Sequence, residues 1–281
     1  MLGAVIGDIV GSRFEFRNHR DKDFELFASD CTYTDDSVMT AAVAQAVMNS
    51  KPDFSDLSQN AVKYMSDLGN SHLGRGYGFH FYQWLLGDQK PYNSFGNGAA
   101  MRVSPVAYAA KSLEETLHLA DEVTKVSHNH PEGMKGAEVT AAAVYLAIHG
   151  STKEEIKAYT EQFYPITFTI DDIRDNYAFD ETCQGCMPQA LECFYESKDF
   201  EDAVRIAISL GGDSDTIAAM TGSIAEAYYG VPNILRLKAV SYLDTELALI
   251  VNRFEEIYPS NTLRLFHVKQ KCKLFIQNYQ V

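Results

Sequence analysis

The 281-residue chain is poor in basic side chains, with 24 Lys and Arg against 38 Asp and Glu and a formal net charge of −14. Proteins that bind nucleic acid broadly rely on clustered Lys and Arg, so this deficit argues against that class. An anionic partner would have to be held locally, by a metal ion or by backbone amides. We therefore expect no broad nucleic-acid binding.

Cysteines are few and odd in number, and long apolar runs are missing. Five cysteines in a chain of this length do not predict a disulfide framework. No apolar run reaches the ~20 residues of a transmembrane helix, and the segment Met1–Asp8 lacks the positive start of a signal peptide. These absences predict a cytoplasmic protein without membrane association. Cys183 and Cys186 form a CxxC with no second pair at zinc spacing, so we expect buried structural thiols there and at Cys193.

Helical patterns dominate the chain. An apolar fraction of 46% supplies enough material for a core. Ser112–Glu115 and Ser151–Glu154 match capping boxes, each opening a helix. Other helices are predicted at Ser37–Met48, Ser55–Leu68, Ala99–Ala109, Pro131–His149, Phe200–Ser209 and Asp215–Tyr229, with two more within Val231–Tyr258. The predicted fold is all-α, a globule of many helices.

Strand-like alternation is confined to two segments. Pro165–Ile170 predicts a short strand or an extended loop, and Leu265–Phe275 predicts an edge strand or a peripheral extension bearing lysines. The stripe Phe79–Leu86, which contains the single tryptophan, Trp84, is typical of a core. Because there is no linker, repeat or low-complexity tract, we predict one domain over residues 1–281, with a candidate peripheral tail at about 260–281.

Two acidic clusters far apart in the sequence are its most informative feature. Residues 34–37 are Thr-Asp-Asp-Ser, and residues 211–216 are Gly-Gly-Asp-Ser-Asp-Thr. Each cluster alone also suits a helix N-terminus, where the dipole favours Asp. Four carboxylates brought together would repel one another unless a positive ion lay between them. Oxygen ligands of this kind suit Mg²⁺ or Mn²⁺, so the clusters predict a metal site if the fold joins them.

Two acidic residues near the N-terminus are candidates for other roles. Glu15 lies between two phenylalanines, whose burial would raise its pKa toward the range useful for acid–base catalysis. The alternative is a surface ion pair with Arg13 or Arg17. Asp8, within an apolar helical run, is better explained as a buried polar anchor than as a catalytic residue.

Glycine-containing segments and one histidine cluster complete the candidates. Arg75–Gly78 and Ser94–Gly98 expose amide groups that can bind phosphate, although each alone is more typical of a turn. Neither matches a dinucleotide or P-loop fingerprint. His128, in the cluster Ser127–Gly133, suits polar contacts at a pocket wall better than metal ligation.

In their order and spacing these segments resemble the ADP-ribosylglycohydrolase family. The matching segments are Gly7–Glu15, Thr34–Ser37, Arg75–Gly78, Ser94–Arg102, Ser127-His128 and Gly211–Thr216, and the resemblance runs to roughly residue 255. It implies an all-α orthogonal bundle with two Mg²⁺ ions, or Mn²⁺, in a cleft.

The resemblance also implies roles for individual residues. The implied metal ligands are Thr34, Asp35, Asp36, Asp213, Asp215 and Thr216, and the implied catalytic residue is Glu15. The residues implied to line the pyrophosphate and ribose pocket are Gly76, Tyr77, Gly78, Ser94, Phe95, Gly96 and Asn97, with His128 at the distal ribose.

The activity implied is hydrolysis at C1″ of ADP-ribose, removing it from a modified protein side chain and so reversing mono-ADP-ribosylation. The partner is then an ADP-ribosylated protein or an ADP-ribose derivative. One alternative is a hydrolase of free derivatives such as O-acetyl-ADP-ribose, which would use the same pocket. The other is a non-catalytic binding or immunity protein, which would not need the whole ligand set together with Glu15.

Overall fold

A computed structural model describes residues 1–260 of the chain. Over that range the secondary structure is helical without a single strand, and its one β-bridge is antiparallel, between Gly96 and Thr182. The all-α prediction is confirmed. The helices, in chain order, are α1 (Leu2–Gly11), α2 (Asp35–Asn49), α3 (Leu57–Ser71), α4 (Phe79–Leu86), α5 (Gly98–Met101), α6 (Pro105–Ala109), α7 (Leu113–Thr124), α8 (Pro131–Ile148), α9 (Lys153–Thr160), α10 (Ile170–Ile173), α11 (Cys183–Glu196), α12 (Phe200–Leu210), α13 (Ser214–Tyr229), α14 (Asn233–Val240) and α15 (Thr245–Ile257). None of them is both long and apolar enough to cross a bilayer.

The helix starts follow from local capping, with two corrections. Ser112 caps α7 by accepting a hydrogen bond from the Glu115 amide at 3.1 Å, as predicted, but the Glu115 side chain accepts from the Lys111 amide, so only half of the predicted capping box forms. The second capping box begins one residue later than predicted, because Thr152 caps α9 together with Glu155. Ser151 instead donates its amide to Leu146 at the end of α8, so it belongs to the preceding helix terminus.

Three other sequence predictions need correction. The predicted helix Ala99–Ala109 is divided into α5 and α6, because Pro105 starts a new helix at its first position. Of the two alternatives for Pro165–Ile170, the strand is wrong and the loop is observed, because residues 165–169 have no regular secondary structure and Thr169 caps α10. In the stripe Phe79–Leu86, Trp84 is buried, but Phe79 is 70% exposed. The predicted strand at Leu265–Phe275 lies outside the described residues, and the single-domain assignment for the whole chain stays a prediction.

The predicted structural thiols agree with the fold. Cys183, Cys186 and Cys193 are free and buried, as is Cys31. Burial raises the pKa of all three predicted thiols, which keeps them protonated and poor as nucleophiles or metal ligands.

Glycines at every fourth position of α1 let this helix contact α13 backbone to backbone. A Cβ added at Gly7 would lie 2.1 Å from the carbonyl oxygen of Ala218, and one at Gly11 would lie 2.4 Å from the Cα of Asp215. Both distances are far below contact, so no larger residue fits. This approach brings a carboxylate oxygen of Asp8 within 4.8 Å of one of Asp215.

Asp8 in turn fixes the start of α2. Its carboxylate accepts hydrogen bonds from the amide and hydroxyl of Thr34, at 3.0 and 2.7 Å. It also accepts one from the Ser37 amide at 3.0 Å and one from the Ser37 hydroxyl. The residue is therefore a buried polar anchor, in agreement with the sequence analysis. Through it, three helices bring the two acidic clusters together.

Candidate active site

A cleft of about 630 Å³ opens where the N-termini of α2 and α13 meet. Of the residues singled out in the sequence, it is lined by Glu15, Asp35, Asp36, Gly76, Gly78, Ser94, Phe95, Gly96, Asn97, His128, Asp213, Asp215 and Thr216. The fold thus gathers segments from six separate parts of the chain into one wall.

The carboxylates of the cleft form two groups that share one member. Oxygens of Asp8, Asp36 and Asp215 lie within 4.8 Å of one another, and so do oxygens of Glu15, Asp213 and Asp215. Asp36, Asp213 and Asp215 are each at most 5% exposed. Asp36, Asp213 and Glu15, each close to Asp215, offer the oxygen donors that hard cations require, and Asp8 lies behind them as a hydrogen-bonded anchor.

The negative charge of these groups is not compensated within the described part of the chain. No Lys or Arg of residues 1–260 forms an ion pair with any of them. Burial, and then mutual repulsion, raise the pKa of Asp35, Asp36 and Asp215 well above the usual range. The buried Oδ1 of Asp36 has no hydrogen-bond partner. An orphaned carboxylate oxygen in this setting fits a bound divalent cation.

The helix-cap explanation of the two clusters does not account for their carboxylates. The cap of α2 is Thr34, whose hydroxyl accepts from the Asp36 amide at 3.4 Å. Asp213 precedes α13, but its side chain does not cap that helix. Its carboxylate instead accepts a hydrogen bond from the side-chain amide of Asn97, Nδ2, at 2.6 Å. Thr216 donates its hydroxyl to Asp36 at 3.2 Å, so the second cluster orients the first.

Asp35 and the glycine segment after α3 meet at the cleft wall. The Asp35 amide donates to the Arg75 carbonyl at 2.7 Å. Gly76 has φ +96°, and a Cβ there would lie 3.4 Å from the Asp35 carboxylate. This turn therefore needs glycine for its backbone conformation and leaves Asp35 open to the cleft.

Thr34 and Tyr77 are the two predicted site residues that do not line the cleft. The Thr34 hydroxyl lies between Asp8 and Asp36, at 2.7 and 3.4 Å from their carboxylates. Tyr77 turns its ring into the core, 5.8 Å from Phe81, and its hydroxyl is buried without a partner. Of the segment Arg75–Gly78, the cleft is lined by the glycines and not by the tyrosine.

Glu15 is half-buried above the carboxylates. Burial raises its pKa to about 7, with further contributions from the charges of Asp213 and Asp8. Its neighbours differ, because Phe14 is buried whereas Phe16 is 81% exposed. Arg13 pairs with Asp30 at 3.4 Å, and within residues 1–260 neither Arg13 nor Arg17 forms the alternative ion pair with Glu15. A carboxyl with a pKa near neutrality can both hold and release a proton.

Arg102 supplies the opposite charge, with a neutral His128 beside it, and the sequence analysis gave Arg102 no role. The Arg102 guanidinium is 1% exposed, donates to the Ser127 hydroxyl at 2.7 Å and has no hydrogen-bond partner at Nε. Within residues 1–260 no carboxylate pairs with it. Burial lowers its pKa to about 10, so it stays charged. Burial, and then Arg102, lower the pKa of His128 well below the usual value, so its imidazole is neutral.

The segment Phe95–Gly98 separates the carboxylates from Arg102 and His128. Asn97 contacts Asp213, and a Cβ at Gly98 would lie 3.2 Å from the His128 ring. The amides of this segment are partly in use, because Gly96 donates to the Ser94 hydroxyl and Asn97 donates to the Glu181 carbonyl. Arg102 is therefore a stronger source of positive charge for an anion than these amides are.

Aromatic rings surround the mouth of the cleft, and sequence patterns did not reveal their position. Phe79 and Phe179 line it, and Phe16 stacks on Phe179 with 6.1 Å between ring centroids. Phe179 is 47% exposed. Apolar residues beside turns have no spacing that separates a cleft rim from a core, so only their exposure in the fold identifies them.

The chain matches the model of one protein family, described as ADP-ribosylglycohydrolase, over residues 1–263. The chain belongs to the ADP-ribosylglycohydrolase family. The resemblance predicted from the motifs is thereby confirmed, and with it the enzyme class, a hydrolase of glycosyl bonds.

Named relatives of this ADP-ribosylglycohydrolase are similar over most of their length. It is 29% identical to the ADP-ribosylarginine hydrolase Tri1 of Pseudomonas putida, over 82% of this chain and 70% of the relative. The corresponding protein of Serratia proteamaculans is 26% identical over 83% of this chain and 71% of its own. Human ADP-ribosylhydrolase ARH3 is 25% identical over 88% of this chain and 90% of its own length.

A solved structure supports the fold. The chain named ADP-ribosylglycohydrolase-related protein complex superposes with a TM-score of 0.62 at 23% identity, covering 90% of this chain and 95% of that one. The bundle predicted from the motifs is therefore the ADP-ribosylglycohydrolase fold.

Proposed function

We propose that this ADP-ribosylglycohydrolase is a Mg²⁺-dependent hydrolase that removes ADP-ribose from modified protein side chains, acting at C1″. The observation that carries the proposal is the pair of uncompensated carboxylate groups sharing Asp215, beside a buried, unpaired arginine in the same cleft. The names of the relatives, which act on ADP-ribosylarginine or as ADP-ribosylhydrolases, point the same way. The buried free thiols suit a reducing, cytoplasmic setting.

The metal ions would be held by the residues that the resemblance implies. Asp36, Asp213 and Asp215 supply buried carboxylates, Asp35 lies at the open wall, and the hydroxyls of Thr34 and Thr216 adjoin Asp36. Asp8 is left out, because both of its oxygens already accept hydrogen bonds. When bound, divalent ions of this kind polarise a water molecule and orient the hydroxyls of a ribose.

The chain's own residues would bind and orient the substrate. The Arg102 charge attracts the diphosphate, which is how a protein of net charge −14 accepts an anion. The neutral His128 imidazole can hydrogen-bond a ribose hydroxyl, and Asn97 holds Asp213 in place. Gly76 and Gly78 leave room for the substrate at the wall near Asp35.

Glu15 would act as the general acid or the general base. Its carboxyl lies within 4.8 Å of both Asp213 and Asp215 at the open side of the cleft. There it can protonate the departing side-chain atom or take a proton from the attacking water. Cleavage at an anomeric carbon passes through a transition state with oxocarbenium character, which the surrounding carboxylates stabilise electrostatically.

The proposal is tested by product analysis with three substrates. Arginine-linked and serine-linked ADP-ribosylated proteins and free O-acetyl-ADP-ribose are incubated with the protein, with Mg²⁺ or with EDTA. We expect Mg²⁺-dependent release of ADP-ribose from at least one protein-linked substrate, faster than turnover of the free compound. Turnover of the free compound alone would favour the free-derivative hydrolase, and no turnover of any substrate would favour a binding protein.

Removal of the metal is expected to make stability strongly dependent on pH. Each carboxyl with a raised pKa holds an extra proton in the folded state, so the free energy of unfolding falls as pH rises. For Glu15 this window runs from 4.5 to about 7. In EDTA the melting temperature should therefore drop between roughly pH 4.5 and pH 7.5. Mg²⁺ at 100 times its dissociation constant should add about 2.7 kcal/mol at the upper pH, and each kcal/mol corresponds to roughly 2–4 °C.

A matched pair of variants serves as the control for this melting experiment. Asp213→Asn should lose most of the Mg²⁺-dependent increase. Asp199→Asn should keep it, because Asp199 caps α12 outside the cleft and Asn caps equally well. A wild-type melting temperature that does not respond to Mg²⁺ at any pH would contradict the metal site.

A further inference from the structure

The loop between α1 and α2, residues 12–34, carries Glu15, and the Arg20 side chain bonds it to distant parts of the chain. The Arg20 guanidinium donates to the carbonyls of Arg174 and Leu210 and, at 2.7 Å, to that of Tyr177. Two parts of the chain, the turn after α10 and the end of α12, each more than 150 residues away in sequence, thus meet at one side chain. Arg20 itself does not line the cleft.

Two of these carbonyls, those of Leu210 and Tyr177, belong to segments that lead into the cleft wall. Leu210 ends α12 and immediately precedes the turn Gly211-Gly212 that leads to Asp213. Tyr177 begins the stretch that contains Phe179, Glu181 and Thr182 of the cleft wall. A second hydrogen bond joins the loop to the same glycine turn: the Gly212 amide donates to the side-chain oxygen of Asn18 at 3.0 Å.

The Arg20 guanidinium donates hydrogen bonds to backbone carbonyl groups and, among the described residues, to no carboxylate. None of the ion pairs among residues 1–260 includes it. A cation at the carbonyl end of a helix such as α12 interacts favourably with the helix dipole. Several donors in one planar fork suit convergent carbonyls better than the single ammonium of a lysine does.

The double glycine of the second acidic cluster fits closely against this side chain. Gly211 and Gly212 have φ +73° and +72°, and a Cβ at Gly211 would lie 3.0 Å from both Arg20 Cζ and Asn18 Cγ. A Cβ at Gly212 would lie 2.5 Å from the Tyr177 ring. The turn that precedes Asp213 therefore packs directly against Arg20, Asn18 and Tyr177.

We propose that Arg20 is a positioning residue, which holds Glu15 in register with the metal-binding turn through its bonds to Leu210 and Tyr177. The inference rests on the proposed function for its kinetic consequences. A positioning role differs from a general stabilising role in one respect. Loss of Arg20 should lower turnover only because Glu15 is displaced.

The chain contains a matched control in Arg205. Its guanidinium holds the same loop by the same kind of bond, donating to the carbonyls of Lys22 and Phe24 at 2.9 and 2.8 Å. It also pairs with Glu201 on its own helix at 2.7 Å. Its bonds reach neither the Gly211-Gly212 turn nor Tyr177.

The experiment compares Arg20→Met, Arg20→Lys and Arg205→Met. We expect Arg20→Met to lower kcat at least ~10-fold, the scale of a small misplacement of catalytic groups, with ADP-ribose and Mg²⁺ affinities within about 2-fold. Arg20→Lys should recover part of this loss, and Arg205→Met should stay within about 2-fold of wild type. In the Glu15→Gln background, Arg20→Met should cause no further loss, because residues acting as one unit are not additive.

Hydrogen exchange provides a readout that needs no turnover. Amide exchange of residues 12–19 should accelerate in Arg20→Met, whereas in Arg205→Met the acceleration should be confined to residues 22–25. Asn18→Ala, which removes the weaker contact, serves as the variant to measure if Arg20→Met does not fold. If the wild type releases no ADP-ribose, the proposed function fails, but the exchange rates still test whether Arg20 holds residues 12–19 in place. An additive loss with Glu15→Gln, or equal exchange in the two arginine variants, would overturn the positioning role.

Discussion

Glu15→Gln slows turnover by roughly 10²-fold, the usual contribution of a positioned acid or base, while ADP-ribose binds as in the wild type. This is the expected result because Gln keeps the size and hydrogen-bonding capacity of the side chain but cannot transfer a proton. A loss of this size corresponds to about 2.7 kcal/mol of transition-state stabilisation. The measurement is single-turnover release of ADP-ribose, with the affinity for free ADP-ribose determined by calorimetry.

Another glutamate of the same loop serves as the control for this prediction. Glu25 is exposed and does not line the cleft, so Glu25→Gln should leave turnover unchanged. Full activity in Glu15→Gln would mean that another group transfers the proton. A parallel loss of ADP-ribose affinity would instead mean that Glu15 binds the substrate.

Asp213→Asn or Asp36→Asn is expected to lower activity by at least ~10-fold, the scale seen when a metal site is disturbed. Asn retains one oxygen but not the charge, and the Asp213 carboxylate belongs to the group that shares Asp215. Both variants should also bind fewer metal ions, which metal analysis of the dialysed protein measures directly.

Asp213→Asn distinguishes a ligand from a helix cap. Asn and Asp are about equally good N-caps, so a residue that only caps α13 would tolerate the change. Asp199→Asn, at the true side-chain cap of α12, should be neutral for this reason. Unchanged turnover and unchanged metal content in Asp213→Asn would remove the metal hypothesis.

Much of the fold could be predicted because its helices have strong local patterns. Ser112 and Thr152 cap helices whose starts are visible in the sequence, apart from the shift of one residue at Thr152. The predicted helix Ala99–Ala109 was an exception, because Pro105 begins a new helix and so divides it in two. Pro165–Ile170 left strand and loop open, and the loop is observed, because a short alternation forms no stable strand without a partner strand.

Individual site residues were harder to place, because a motif specifies the backbone segment and not the direction of each side chain. Gly76 and Gly78 line the cleft, whereas Tyr77 between them points into the core. Arg102 closes a matching segment, yet its lack of a carboxylate partner is visible only once the buried surroundings are known.

By itself, the sequence determined that the chain is helical, acidic and equipped with two clusters of hard oxygen ligands, since these follow from composition and local order. Only the tertiary structure decided that the clusters meet. Their approach depends on α1 packing against α13 through Gly7 and Gly11, and on Asp8 holding the first turn of α2. The contacts between α1 and α13 join residues about 200 positions apart, and no local pattern encodes which distant backbone a glycine will touch.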